Sequence, residues 1–117
     1  MSLHDTALDG DLEALRDRIA RGENVDEGDE SGMTPLMFAC YYGHLECARA
    51  LIDAGAALDL VNNNGWTALM HACIYGHHEC AQALIDAHAD LELKNRGGQN
   101  ALMIARESPP SWYSRRR

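Results

Sequence analysis

Apolar residues recur along this chain at helical spacing, and glycines interrupt them at regular points. Thr34-Pro35 is typical of a helix start, because the hydroxyl can accept a bond from a free backbone N–H and proline tolerates the first helical position. Gly43 ends this short helix. A second apolar series, at three- to four-residue spacing, then runs toward Gly55 through Leu45, Cys47, Ala48, Ala50, Leu51 and Ile52. The pattern predicts two antiparallel helices joined by a tight turn.

The pattern returns with a period of 33 residues. Two series of glycines show it, at Gly10, Gly43 and Gly76 and at Gly32, Gly65 and Gly98. Between the helix pairs, residues 57–65 are rich in types that tolerate turns and left-handed backbone, so we expect a projecting loop or hairpin there. A fixed period of this length indicates a linear array of repeats.

The helix start and the turn after it share one motif in both complete units. T-P-L or T-A-L begins at Thr34 and Thr67, and A-C-x-x-G-H-x-E-C-A begins at Ala39 and Ala72. With the period and the order of helix, helix and loop, residues 3–108 resemble the ankyrin-repeat family. The resemblance implies an all-α solenoid of antiparallel helix pairs with projecting β-hairpin loops. It also implies a protein that binds other proteins without carrying out chemistry on them.

The register divides the chain into four units and a tail. Residues 1–31 resemble a degenerate first repeat whose charged exterior suits an N-terminal cap, and further units follow at 32–64, 65–97 and, as a C-terminal half repeat, 98–108. Pro109 stands where the register has a glycine, so we expect a flexible tail at 109–117 and an uncapped C-terminal end that frays first. Trp112 and Tyr113 could relieve this by folding back over Ala83 and Leu84, or by association with another copy of the chain.

Two kinds of position depart from the family pattern. The family's histidine at the helix start is replaced by methionine, which can fill the same space, at Met37, Met70 and Met103. His88 stands where Gly55 ends the second helix of the preceding unit. That substitution predicts either a left-handed histidine or a different helix end.

Composition and charge narrow the class of partner. Apolar residues make up 46% of the chain, yet it holds one Phe and two Trp, which favours helices packed through small residues. The net charge of −8 disfavours binding to nucleic acid and to anionic membranes. The charge is unevenly distributed, with −7 in residues 1–31 and +3 in residues 98–117. No apolar run reaches the ~20 residues of a membrane span, and the first residues lack the features of a secretory signal. We therefore expect an intracellular, cytoplasmic protein, with the nucleus left open.

Cysteine and histidine pairs raise the alternative of a zinc site. Cys40 and His44, and again Cys73 and His77, are four residues apart, and His71, His78 and Cys80 lie near the second pair. Glycine interrupts each pair, however, and the same residues recur at the repeat period, as packed positions would. We therefore favour free buried thiols and turn-stabilising histidines, with no metal or cofactor, over a metal or redox protein built on Cys40, Cys47, Cys73 and Cys80.

Catalytic motifs do not accompany the repeats. The sequence has no G-x-S-x-G turn and no phosphate-binding glycine loop, and Lys94 is its one lysine. We therefore expect no enzyme activity in the chain. The alternative is a targeting module of a larger enzyme whose catalytic part lies outside it.

The positions that such repeats leave variable are apolar or acidic here. The exposed sides of the first helices and the hairpin tips should form one concave face, with Gln99 and Ile104 in the half repeat and with Met33, Phe38, Tyr41, Tyr42, Trp66, His71, Ile74 and Tyr75 in the complete units. An acidic first hairpin lies beside them, with Asp26, Glu27, Asp29 and Glu30. We hypothesise that a monomer binds a protein or peptide with basic and apolar residues on this face.

Overall fold

Seven α-helices follow one another in the computed structural model, which describes residues 2–107. They are α1 (Leu3–Asp9), α2 (Leu12–Ala20), α3 (Pro35–Tyr42), α4 (Leu45–Asp53), α5 (Ala68–Ile74), α6 (His78–Asp86) and α7 (Ala101–Glu107). None of residues 2–107 is in a strand, which confirms the all-α prediction. Within the same residues no helix is long and apolar enough to cross a membrane. The expected tail at 109–117, with Trp112 and Tyr113, lies outside the described residues.

The helices form two layers. The first helices of the units, α1, α3, α5 and α7, pack side by side, and the second helices, α2, α4 and α6, form a parallel layer behind them. Leucines fill the space between the layers, with Leu15, Leu36, Leu51, Leu69 and Leu84 at most 2% exposed. Burying one leucine stabilises the fold by about 1.5–3 kcal/mol. Small residues such as Ala39 and Ala72 let neighbouring helices approach closely.

Each first helix in the two complete units begins with a reciprocal cap. The Thr34 hydroxyl accepts a bond from the Met37 N–H at 3.3 Å, and the Met37 sulfur accepts one from the Thr34 N–H at 3.4 Å. Thr67 and Met70 repeat this pair at 3.2 and 3.5 Å. Methionine at the family's histidine position therefore fills space and also supplies a weak hydrogen-bond acceptor.

A histidine ring locks each complete unit onto the unit before it. His77 Nε2 lies 3.1 Å from the Tyr41 carbonyl oxygen, and His44 Nε2 lies 3.0 Å from the Leu8 carbonyl oxygen. A carbonyl can only accept, so Nε2 carries the proton in both rings. The ring of His77 also lies against Gly43, where an added Cβ would be 2.5 Å from Nδ1. The predicted turn-stabilising role of these histidines is therefore a bond between units.

The projecting loops are tight turns organised by an acidic or amide side chain. The Asp29 carboxylate accepts bonds from the N–H groups of Ser31 and Met33, both at 2.9 Å. Asn62 and Asn95 do the same in the next two loops. In each loop the backbone closes the turn as well, as in the bond from the Asp29 N–H to the Met33 carbonyl. The expected hairpins are thus turns without strands.

Neighbouring loops are joined by hydrogen bonds. The Asn63 N–H donates to the Ser31 carbonyl at 2.9 Å, and the Arg96 N–H donates to the Asn64 carbonyl at 3.2 Å. Closer to the helices, the Asp26 carboxylate accepts a bond from the Ala57 N–H at 2.8 Å. The loops therefore form one connected row along the array.

His88 adopts a left-handed backbone with φ of 74°, which is one of the two alternatives that the sequence predicts. Gly55, its equivalent one unit earlier, has φ of 86°. An added Cβ at Gly55 would meet nothing within 4 Å, so this helix end accepts a side chain at the cost of backbone strain alone.

The last helix exposes apolar side chains that its predecessors bury. Leu102 is 54% exposed and Met103 is 40% exposed, whereas Leu69 and Met70, one unit earlier, are 2% and 1% exposed. In the described part of the chain no second helix covers α7. The expectation that this end of the array frays first stays a prediction.

We expect Gly43→Ala to destabilise the fold more than Gly55→Ala. Both residues have positive φ, so alanine costs roughly 1–2 kcal/mol of strain at either position. At Gly43 the new Cβ must also displace the His77 ring and weaken its bond to Tyr41. The free energy of unfolding in urea should fall by about 1–3 kcal/mol more for the first variant. Equal losses would show that the histidine contact contributes nothing to stability.

Candidate binding groove

A groove of about 720 Å³ runs between the loop row and the first helices. Its helical wall comes from α3 and α5, and its opposite wall comes from the first two loops. The side chains that line it are Ser31, Met33, Phe38, Tyr41, Tyr42, Asn62, Asn63, Asn64, Trp66, His71 and Tyr75. The groove therefore lies on the side of the first helices and loops where the repeat register places the variable residues.

Seven of the fourteen residues that the sequence analysis places on the binding face and its acidic edge line this groove. They are Met33, Phe38, Tyr41, Tyr42, Trp66, His71 and Tyr75. Ile74 is half-buried on α5 and does not line it. Gln99, Ile104 and the four acidic residues of the first hairpin do not line it either.

Three of the residues expected to be exposed are buried. Met33 is 9% exposed, His71 is 6% exposed and Ile104 is 2% exposed, so their predicted exposure was wrong. The reason is that the first helices pack side by side, and the side chain at the Phe38, His71 and Ile104 register faces the neighbouring unit. Met33 is further held by the Asn62 amide, which lies 3.4 Å from its sulfur.

Aromatic rings form a continuous strip along the groove. Trp66 stacks on His71 with ring centroids 5.3 Å apart, and His71 lies 5.5 Å from Tyr41. Tyr41 then contacts Tyr75 at 4.5 Å and Tyr42 at 4.7 Å. A hydrogen bond with Tyr41 raises the pKa of Tyr75, and the two outer rings, Tyr42 and Tyr75, are each 48% exposed. The strip offers exposed ring surface and hydroxyl groups to a partner.

His71 is the polar group at the buried end of this strip. Within residues 2–107 neither of its ring nitrogens has a hydrogen-bond partner. Burial lowers the pKa of His71 to about 4, because the charged ring would lose its hydration. The ring is therefore neutral near pH 7, with one nitrogen as a donor and the other as an acceptor.

The polar rim of the groove comes from residues that the sequence reading assigned only to a turn. Ser31, Asn62, Asn63 and Asn64 all line the groove. The Asn62 side-chain oxygen is used within its own loop, and the Asn63 amide donates to the Glu30 carbonyl at 3.1 Å. The run of three asparagines could have indicated this polar rim. Asparagine is also common in turns, however, and the sequence alone favoured that simpler interpretation.

The acidic hairpin divides into two pairs with different roles. The carboxylates of Asp26 and Asp29 accept backbone bonds that hold the loops together. Glu27 and Glu30 are exposed, and the ion pairs found among the described residues lie elsewhere, on α2 and α4 and in the loop that follows α2. The charge available to a partner is therefore carried by the two glutamates.

The cysteines are packed in the core. Cys40, Cys47, Cys73 and Cys80 are all free and buried, and burial raises the pKa of Cys73 to about 11. A hydrogen bond between Cys40 and Cys80 raises the pKa of the first thiol and lowers that of the second. Metals bind the thiolate, which burial disfavours at Cys73. In residues 2–107 no group of three or more potential ligands is placed to hold a metal ion.

Comparison with protein families shows that a family model matches most of the chain. A family model described as ankyrin repeats (3 copies) matches residues 3–95 and, in a second match, residues 55–109.

Two human proteins are similar in sequence to parts of this chain. The DNA-binding protein RFXANK is 39% identical over 44 residues, which cover 37% of this chain and 17% of that protein. The crystal structure of the ASB11 ankyrin repeat domain is 36% identical and superimposes with a TM-score of 0.76, covering 80% of this chain and 42% of that one. This chain thus spans less than half the length of either relative.

We expect His71→Phe to reduce the acid sensitivity of the fold. The pKa of His71 is about 4 in the folded chain and about 6.5 in an exposed ring, so between these pH values the unfolded state binds more protons. The wild type therefore loses stability as pH falls from 6.5 toward 4, by about 2 kcal/mol at pH 4.5. Urea unfolding of both proteins at about pH 7 and pH 4.5 measures this, because other titrating groups cancel in the difference. Parallel losses in the two proteins would contradict the buried neutral ring.

Proposed function

This chain belongs to the ankyrin-repeat family, and we propose that it is a non-catalytic module that holds a segment of a partner protein in its concave groove. Ankyrin repeats are a general protein-interaction fold, which supports the class of activity. The observation that carries the proposal is the aromatic strip, which leaves Tyr42 and Tyr75 half exposed in a groove large enough for several side chains.

The chemistry of the groove favours a partner segment with apolar and basic residues. Among the described residues that line the groove, none is charged, so its floor suits apolar and neutral polar groups. Basic side chains would lie at the edge, beside Glu27 and Glu30, and the net charge of −8 would favour their approach. The same charge opposes nucleic acid and so disfavours the DNA binding named for the partial relative RFXANK.

The loop tips also give the bound segment a direction. Glu30, Asn63 and Arg96 occupy equivalent positions in three successive loops, so the tips change from acidic to neutral to basic along the groove. The bonds between loops keep these tips adjacent. A partner segment would therefore place its basic end over the first loop and its acidic end over the third. We propose that the chain does this as a cytoplasmic monomer.

We expect the double variant Tyr42→Ala/Tyr75→Ala to dissociate from the partner at least about ten times faster, since exposed tyrosines at an interface centre commonly contribute more than 1 kcal/mol each. The partner is first isolated by affinity capture with the intact domain, and dissociation is then followed by surface plasmon resonance. Ile85→Ala is the control, because Ile85 is 41% exposed on α6, away from the groove. Unchanged dissociation of the double variant would place the binding site elsewhere.

Charge removal at the loop edge should act on association instead. We expect Glu27→Gln/Glu30→Gln to slow association several-fold at low salt, with little effect at high salt, because rim charges steer the encounter. Asp26 and Asp29 stay unchanged, since their loss would break loop bonds. Glu13→Gln/Glu79→Gln makes the same change in net charge on the second helices and serves as the control. Equal slowing in both variants would assign the effect to net charge alone.

A further inference from the structure

We propose that His71 forms a hydrogen bond with a neutral side chain of the bound segment, a carboxamide or a hydroxyl, and thereby selects for Asn, Gln, Ser or Thr at one position. This inference rests on the proposed function, because it assigns the chemistry recognised at the floor of the same groove. It adds a polar specificity to a surface that otherwise offers aromatic contact.

The first support is that His71 is a polar residue at an apolar position of the repeat. Its equivalents in the neighbouring units are Phe38 and Ile104, which need no hydrogen-bond partner. His71 is 6% exposed, and its two nitrogens have no partner among residues 2–107. A buried polar group without a partner destabilises a fold, so an apolar residue would serve packing better. The histidine is explained if a ligand completes its bonding.

The second support is the placement of the ring. Trp66 stacks on its face with an interplanar angle of 27°, and the tilted ring of Tyr41 lies beside it. These neighbours fix the ring through packing, while both nitrogens are buried without a partner among residues 2–107. The side chain lines the groove, so a ligand seated there lies next to the ring, and a small shift of a lining side chain lets it reach the ring edge.

The neutral character of the ligand group follows from the surroundings. The groove residues that the structure describes carry no charged side chain, so a carboxylate or an ammonium placed beside His71 would lose hydration without a counter-charge. The neutral imidazole can donate or accept. Carboxamides and hydroxyls can also do both, so they satisfy the ring whichever nitrogen carries its proton.

A random peptide library tests the proposal without knowledge of the natural partner. Peptides of about ten residues are displayed on phage and selected on the full chain. An extended segment of this length is about long enough to cross the repeats. Their affinities for the wild type, His71→Phe and Tyr42→Ala/Tyr75→Ala are then measured by titration calorimetry. We expect selected peptides to share Asn, Gln, Ser or Thr at one position. His71→Phe should bind them about ten times or more weakly, although its urea midpoint should rise above that of the wild type.

A peptide variant completes a double-mutant cycle with His71→Phe. Replacing the shared polar residue with Ala should weaken binding to the wild type by a similar factor and should have little further effect on His71→Phe. The ¹⁵N shifts of the His71 ring nitrogens should change when the wild type binds the original peptide. Glu46→Gln, on the outer helix layer, should bind all peptides as the wild type does.

The outcomes separate this inference from the proposed function. If His71→Phe binds as tightly as the wild type while the tyrosine double variant does not, the role of His71 is wrong and the groove stands. A conserved carboxylate at the selected position, or a urea midpoint that falls in His71→Phe, would likewise overturn the His71 proposal. If no peptide is enriched, or if binding is insensitive to all the groove variants, both proposals fail.

Discussion

The contact between a glycine at the end of one first helix and a histidine at the N-terminus of the next unit's second helix sets the spacing of the first three units. The His77 ring can approach Gly43 so closely because no Cβ intervenes, and at that distance its Nε2–H reaches the Tyr41 carbonyl. The same contact is made by His44 on Gly10. Each bond satisfies a helix-terminal carbonyl that would otherwise lack a partner, so the units cannot slide without leaving a buried acceptor free.

That spacing also builds the groove. Tyr41 provides the carbonyl that His77 holds, and its ring is the centre of the aromatic strip, in contact with His71 and Tyr75 of the next unit. A change in the unit spacing would therefore separate the rings at the same time as it weakened the fold. The surface offered to a partner is rigid because the residues that form it also belong to the contact between units, and a preorganised surface loses less entropy on binding.

The parts of this molecule that follow from local chemistry could be read from the sequence. The 33-residue period is visible in the sequence itself. A few adjacent residues determine the caps at Thr34 and Thr67, the turn at Gly43 and the left-handed backbone at His88. Burial of the residues equivalent to Phe38 depends on how tightly neighbouring units pack. Local sequence patterns do not contain that information. The same limit applies to Asp26: its bond to the Ala57 N–H spans 31 residues, so a charge that resembled a binding group proved to hold two loops together.

Specificity in such an array has to come from positions where equivalent residues differ between units, because the shared residues are occupied by the contacts that repeat. Here the shared glycines, histidines and leucines form the frame, and two rows of unlike residues run along the array, each with a member in the groove. One row is Phe38, His71 and Ile104, in which only the middle residue is polar. The other is the charge gradient along the loop tips. A ligand that crosses both rows meets a polar group at one point and opposite charges at its two ends. Its composition and its direction are therefore both constrained by the residues that differ between the units.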